Sequence, residues 1–487
     1  MVWMAGLLAA CVAAPSPTPS PMEAALAQLL ARPELAGGRI GVCVVGSSGE
    51  VLAAANADRG FATASNMKLI SAAVALATLG GEHRVPTELW MRGPVSAGVL
   101  HGELMLRGHG DPSFGTGAAG KAAFKAMASA LREAGVQRVV GRVVGDDSWL
   151  GREHLGLGWQ WDYLDEDYAA PFGGLCCGGN VVTVTVRPGL SEPVVEVQPS
   201  VLPAPRVQVQ QVEAGGSTRL TTRRALGSDA IEVTGTIAKD ARPQSVQVTV
   251  RDPAAFAVAV LTSELRQLGI AIEERADVVT EGEPRLVVTH SSPPLAQLVQ
   301  PLLLNSNNLY AEQVARLAAR TALGDGSTAN VERHAKATLA QLGVDTTGMV
   351  IADGSGLSRR NLVQPRQLTA LLLAVRGAPF REAFVQALPV AGESGTLRSR
   401  FRDGHGKGHV SAKTGFISRV VCLSGYLDGP DPVDDPLIFS IMVNDFTCSE
   451  EAAKAAVDAF VNQLAAALGC VRSSERDRES ELKPVDR

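Results

Sequence analysis

A chain of 487 residues exceeds what one hydrophobic core organises, so two or three domains are expected. Its 46% hydrophobic and 20% charged residues argue against a disordered chain, and a net charge of -5 without a basic block argues against nucleic acid as a partner. The eight histidines are scattered, with no His-Glu-x-x-His and no paired Cys-x-x-Cys, which leaves a metal site without support.

Met1 to Ala14 is apolar and too short to span a bilayer, and reads as an export signal lacking the usual positive start. Leu8-Ala9-Ala10-Cys11 resembles a bacterial lipoprotein cleavage box that would place a lipid anchor on Cys11; a plain secretory signal with an incidental cysteine is the alternative. Pro15-Ser16-Pro17-Thr18-Pro19-Ser20-Pro21 follows as an extended tether, so residues 1–21 form leader and spacer, and the chain is expected to be exported to the periplasm. Cys43, Cys176, Cys177, Cys422, Cys448 and Cys470 lack the spacing of a disulfide framework; most read as buried small side chains, with one bridge from the Cys176-Cys177 pair left open.

Helical spacing from Met22 to Leu30 precedes a strand over Arg39–Val45, a Ser47-Ser48-Gly49 turn and a second strand over Glu50–Ala54, a hairpin. The run Leu69, Ile70, Ala73, Val74, Leu76, Ala77 and Leu79, stopped by Gly80-Gly81, predicts a helix that opens on Ala64-Ser65-Asn66-Met67-Lys68. Ser65 and Lys68 then share a face in its first turn. A serine hydroxyl becomes a good nucleophile when a neighbouring base takes its proton, and a lysine serves where burial and nearby positive charge lower its pKa. Taken alone, an N-cap serine beside a solvated lysine explains the pair equally well, because Ser-x-x-Lys arises about once by chance in a chain of ordinary composition.

From Thr87 to His290 the texture turns to short β-rich runs with many Gly and Pro, and reads as an insertion. Strands are expected over Val139–Asp146 and Val181–Val186, and amphipathic helices over Ala122–Ala134 and Pro253–Leu268. Residues 189–250, almost wholly strands and turns, form a nested β domain. Gly158-Trp159-Gln160-Trp161-Asp162-Tyr163 and Asp165-Glu166-Asp167-Tyr168 gather aromatics and carboxylates that either line a peptide pocket or pack a long loop. Helices return at Pro294–Leu304, Leu309–Arg320 and Val331–Leu342, the first two parted by Asn305-Ser306-Asn307-Asn308, where Asn307 or Asn308 can serve as N-cap. The glycine-rich loop Ile351–Arg359 has no strand feeding it and no Lys-Ser/Thr, so it is not a phosphate loop. One strand is expected to begin at Val410, carry Lys413-Thr414-Gly415-Phe416 and continue to Tyr426, pairing with Leu437–Val443 ahead of a helix over Glu450–Leu468. The charged tail 471–487 reads as disordered. The expected division is a catalytic domain of 22–86 and 291–470, an inserted domain of 87–188 and 251–290, and the nested domain of 189–250. The expected architecture is an α/β sandwich, an antiparallel sheet flanked by helices with a helical lobe opposite.

Ser65-x-x-Lys68, Ser306-Asn307-Asn308 and Lys413-Thr414-Gly415 stand in this order on a helix start, an interhelical loop and a strand, the motif set of penicillin-binding proteins and class A β-lactamases. With His109-Gly110-Asp111-Pro112, Gly158-Trp159-Gln160-Trp161-Asp162, Tyr168-Ala169-Ala170-Pro171, Ala352–Arg359 and Gly395-Thr396-Leu397, residues 25–465 resemble the D-alanyl-D-alanine carboxypeptidase/endopeptidase family of class C low-molecular-mass penicillin-binding proteins.

The resemblance implies a β-lactamase/transpeptidase-like α/β sandwich with two nested inserted domains, and a serine DD-peptidase that needs no cofactor or metal. It implies Ser65 as nucleophile, Lys68 as base, Ser306 as proton relay, Asn308 as orienter of Lys68, and Lys413 as positive charge near Ser306. Thr414 and Gly415 would contact the substrate, and the backbone N–H groups of Ser65 and Phe416 would form an oxyanion hole. Trp159, Asp162, Tyr168 and Arg359 are candidates for the stem peptide's side chain. Peptidoglycan stem peptides are the implied substrates and β-lactams the implied covalent inhibitors. Phe416 departs from the family, which commonly has a small hydroxyl residue there, and Glu312 is expected on a solvated helix face. A β-lactamase and a catalytically silent wall-binding scaffold are the competing readings.

Overall fold

The computed structural model describes residues 19–278, 281–430 and 436–471; the expected export leader and Cys11 cleavage box, most of the expected tether and the tail beyond Val471 lie outside them. The Ser20 hydroxyl accepts from Glu23 N at 3.2 Å while the Glu23 carboxylate accepts from Ser20 N at 2.8 Å, so helix α1 (Pro21–Leu30) starts on a reciprocal cap with proline in its first turn. The antiparallel hairpin β1 (Arg39–Val45) and β2 (Val51–Ala55) follows. Along β1, Val42 and Val44 join the core beneath α1, while Cys43 and Val45 join the core on the other face. Strand β1 is thus buried on both sides.

Ser65 does not sit in an α-helical turn. Ala64 has a left-handed backbone (φ 43°), so Ala64–Asn66 forms a 3₁₀ turn and helix α2 (Met67–Leu79) begins after it, ending at Gly80 (φ 78°). The turn is hemmed in by glycines: a Cβ on Gly356 would lie 1.8 Å from Ala64 O, and one on Gly415 would lie 2.9 Å from Thr63 O.

The inserted segment opens with β3 (Pro86–Arg92), β4 (Val95–Ser96), β5 (Val99–Gly108), α3 (Gly117–Glu133) and β6 (Arg138–Asp146). Next come β7 (Val181–Arg187), β8 (Val194–Gln198), β9 (Arg206–Val212), β10 (Arg219–Arg224), β11 (Ile231–Ala238) and β12 (Gln244–Thr249). It closes with α4 (Pro253–Gln267), β13 (Ala271–Glu274) and β14 (Arg285–Ser291). The sheet β13-β6-β5-β3-β14 is covered by α3 and α4, which share one apolar cluster with it. The parallel pairs β5/β6 and β6/β13 are crossed by α3 and α4, the arrangement a parallel connection requires. Two small sheets, β12-β7-β8 and β10-β11-β9, complete the insertion. The first runs across the expected boundary at 188, because β7 pairs with both β8 and β12.

The remainder comprises α5 (Leu295–Leu304), α6 (Asn308–Leu323), α7 (Thr328–Gln341), α8 (Pro365–Arg376), α9 (Arg381–Val385), β15 (Val410–Ile417), β16 (Val420–Leu427), β17 (Leu437–Asn444) and α10 (Glu450–Ala467). The expected single strand from Val410 to Tyr426 is in fact the hairpin β15/β16, broken at Ser418-Arg419, where Arg419 takes a left-handed φ of 59°. The main sheet is antiparallel in the order β15-β16-β17-β1-β2. Arg39 Nε and Asp445 Oδ2, 406 positions apart in the chain, meet at 2.8 Å where β1 joins β17. Cys43, Cys176, Cys177, Cys422, Cys448 and Cys470 are all free thiols, so the bridge left open at Cys176-Cys177 is not formed.

Candidate active site

At the floor of a cleft between the main sheet and the α2/α6 lobe lies Lys68, fully buried. Its Nζ donates to Ser65 Oγ at 2.8 Å, to Asn308 Oδ1 at 2.5 Å and to Ser355 O at 2.7 Å, one acceptor for each proton of an ammonium. Burial pulls its pKa down to about 7, and the carboxylates of Asp353 and Glu312 hold it from falling further. The lowering therefore comes from desolvation. Near neutrality this amine exists substantially as the free base, 2.8 Å from a hydroxyl.

Each partner is set by its own element. Asn307 caps α6 by accepting from Tyr310 N at 3.1 Å, which places Asn308 at the first helical position facing Lys68. Asn308 Nδ2 donates to Tyr168 O at 2.6 Å, so the carboxamide oxygen points to the lysine. Ser306 has a left-handed backbone (φ 61°) in the short break between α5 and α6, and lines the cleft with Ser65 and Asn308.

Lys413, on β15, is fully buried and donates to Thr414 O at 2.8 Å. Burial, with Lys68 adding repulsion, pushes it well below the usual lysine range. Among the described residues no hydrogen bond joins Lys413 to Ser306 or Ser65, so the expected positive charge at Ser306 is disfavoured by this geometry. The Thr414 and Thr396 hydroxyls meet at 2.8 Å, which fixes the direction of the Thr414 side chain. Gly415 leaves room for the Ser65 turn, and Phe416 is 42% exposed at the cleft with Lys454 Nζ 4.7 Å from its ring centroid.

The cleft encloses about 610 Å³, and its lining includes Ser65, Tyr163, Tyr168, Ser306, Asn308 and Phe416. Tyr168 and Tyr163 meet edge to face at 5.6 Å. Trp159 is absent from this lining: its Nε1 donates to Asp353 Oδ2 at 2.9 Å, and the ring packs on Phe172. The indole thus anchors the glycine-rich loop from behind. Asp162 is exposed outside the cleft, and Arg359 donates to Ser418 O at 2.5 Å on its rim. Phe446, Cys448 and Glu450 form a wall that the sequence reading passed over, since only the pairing of β17 with β16 and β1 brings them to the cleft. Tyr163 lay within the aromatic cluster noticed in the sequence but was not singled out.

Glu312 overturns its expected place. It is 1% exposed, and its Oε1 accepts from Gly354 N at 3.0 Å and Ser355 N at 2.9 Å, directly behind the carbonyl that receives Lys68. Helix α6 is buried on nearly every side from Ala311 to Ala319, so its charged residues do not mark a solvent face. Burial, with Asp353 adding repulsion, raises Glu312 to about 7, and it titrates over the same range as Lys68. Glu312→Gln removes the negative charge that favours protonated Lys68 while keeping an acceptor for the loop. The acid limb of the penicillin acylation rate is expected to move to lower pH, and an unmoved limb in stopped-flow or gel time courses would refute this coupling.

Among the described residues no group of three or more His, Cys, Asp or Glu could hold a metal, and no helix is long and apolar enough to cross a membrane. A buried serine–lysine–carboxamide cluster under an antiparallel sheet is the arrangement of a serine hydrolase that uses lysine in place of histidine. The chain belongs to the D-Ala-D-Ala carboxypeptidase 3 (S13) family, whose pattern matches residues 22–467, and is a serine-type D-Ala-D-Ala carboxypeptidase. It is 33% identical over 472 residues to a D-alanyl-D-alanine carboxypeptidase from an Actinomadura species, spanning 91% of this chain and 84% of that one. It is 26% identical over 401 residues to the D-alanyl-D-alanine carboxypeptidase DacB of Haemophilus influenzae, covering 78% and 80%. The crystal structure of penicillin binding protein 4 from Haemophilus influenzae superposes with a TM-score of 0.75 at 23% identity, covering 90% of this chain and 98% of that one, which shows the shared fold. The same Haemophilus influenzae protein has also been solved in complex with a β-lactam.

Proposed function

We propose that this chain is exported and cleaves the terminal D-Ala-D-Ala bond of peptidoglycan stem peptides through an acyl-enzyme on Ser65. The 2.8 Å bond between Ser65 Oγ and the buried Lys68 amine carries the reading. Neutral Lys68 takes the hydroxyl proton as Ser65 Oγ attacks the carbonyl carbon. The backbone N–H groups of Ser65 and Phe416 hold the resulting oxyanion, an interaction worth about 3 kcal/mol per donor in other hydrolases. The proton passes by way of Ser306 to the leaving amine, D-Ala departs, and water releases the acyl group to restore Ser65. Thr414, aligned by Thr396, receives the terminal carboxylate, and Lys413 holds the Thr414 backbone from beneath.

The same acylation accepts the strained amide of a β-lactam, and crosslinked D,D-peptides meet the same nucleophile, so endopeptidase action belongs to this reading. Tyr168 in the cleft lining and Arg359 at its rim are assigned to the stem side chain, with Asp162 outside the cleft left to meet only a longer substrate, whereas Trp159 supports the site from behind. Separate apolar clusters support a catalytic part of 22–86 and 291–470 distinct from the insertion, whose own cluster runs through both its inserted and its nested segments. A lipid on Cys11 would hold the enzyme at a membrane.

Incubation with labelled penicillin followed by peptide mass mapping is expected to place the adduct on the peptide bearing Ser65, and a peptide ending in D-Ala-D-Ala is expected to release one D-Ala. An adduct elsewhere refutes the nucleophile; rapid turnover of penicillin without D-Ala release supports a β-lactamase instead.

A further inference from the structure

We infer that Arg224, on β10 and remote from the catalytic sheet, is a positioning residue that holds the Asn308 carboxamide in the orientation Lys68 requires. The inference rests on the Ser65/Lys68 reading above. Arg224 is 8% exposed, and its guanidinium is spent on backbone carbonyls: Nη2 donates to Leu164 O at 2.6 Å, Nε to Thr249 O at 2.8 Å and Nη1 to Ser228 O at 3.0 Å. Thr249 doubles the grip, its Oγ1 donating to the same Leu164 O at 2.7 Å and its N to Asp165 O at 3.2 Å. Beside it Arg223 reaches the Glu166 carboxylate at 3.1 Å. A buried guanidinium pays for its desolvation only through such bonds; those to Leu164 O and Thr249 O bear on one short loop and the strand end behind it, while that to Ser228 O ties down the turn after β10.

That loop ends at the active site. Ala169 N donates to Glu166 O at 2.9 Å, closing a 3₁₀ turn that fixes where the Tyr168 carbonyl points. Tyr168 O accepts from Asn308 Nδ2 at 2.6 Å, and Asn308 Oδ1 accepts from Lys68 Nζ at 2.5 Å. A carboxamide has one accepting and one donating end, so the Tyr168 carbonyl decides which end faces the lysine. If the carbonyl withdraws, the amide is free to turn its NH₂ toward Lys68, which removes one of three acceptors and lets the amine drift from Ser65. The β10/β12 edge is in this way the outer anchor of a relay: Arg224, Leu164 O, Tyr168 O, Asn308, Lys68.

The test begins with wild-type protein, because failure to find a Ser65 penicillin adduct sinks the underlying reading rather than the relay. Given that adduct, Arg224→Gln is compared with wild type for melting temperature, adduct amplitude and the acylation rate constant from pH 5 to 9. The expected result is full amplitude with a rate lowered about 10- to 100-fold, and an acid limb moved to lower pH because the protonated lysine has lost an acceptor. Simple misfolding lowers amplitude at every pH and leaves the limb in place. Arg224→Lys, which keeps the charge and one donor, should fall between the two, and it stands in if Arg224→Gln does not fold. A folded variant with the wild-type rate and limb overturns the inference.

Discussion

Replacing Ser65 with alanine is expected to abolish both penicillin labelling and D-Ala release, by about 10⁴-fold or more, while leaving reversible binding in the cleft. The cleft holds a second hydroxyl, Ser306, but Lys68 donates to Ser65 and not to it. Loss of the Ser65 Oγ therefore removes the hydroxyl that, among the described residues, contacts the base; the other two oxygens on Lys68, of Asn308 and Ser355, carry no proton to give up. The side chain is small and borders the cleft, so its loss opens no large cavity and the melting temperature should stay within a few degrees. Intact-mass measurement after penicillin treatment reads the result directly, and a stoichiometric adduct on the folded variant would remove Ser65 from the mechanism.

Lys68→Met gives the second large effect, about 10³- to 10⁴-fold in acylation, because the apolar side chain fills similar space and supplies no base. The wild-type enzyme should show the same dependence through pH. With Lys68 near 7, lowering the pH through that value protonates the amine, and the acylation rate should drop about tenfold per unit below it. Raising the pH above 7 leaves the base free, so the rate should level. Pre-steady-state acylation across this range checks both statements, and a flat profile from pH 5 to 8 with wild-type enzyme would show that Lys68 is not the titrating base.

The motif residues were legible because the chemistry demands their types and the helical and strand periods set their spacing: the apolar run after Lys68, the cap at Asn307 and the strand through Lys413 all lie where the pattern puts them. The hairpin of β1 and β2 and the helices α1, α4 and α10 were read to within about two residues. What escaped was tertiary. A 3₁₀ turn at Ser65 is dictated by the left-handed backbone of Ala64 against Gly356, a contact between segments far apart in sequence. Glu312 looked solvated because a helix wrapped by neighbours shows no polar face from which burial can be read. Trp159 looked like a pocket aromatic, and only Asp353 across the loop shows where its N–H goes. Ser418-Arg419 carries no Asn-Gly or Asp-Gly turn signal, so β15 and β16 read as one strand.

The pairing of β1 with β17 has a consequence for when this hydrolase comes into being. Strand β1 pairs at once with β2, but its other edge is filled only by β17, far along the chain, so a nascent chain that has not yet made β17 carries Ser65 on an unfinished scaffold. Activity arrives with that strand, and a polypeptide halted or clipped before it is an inert passenger, unable to attack any wall it meets.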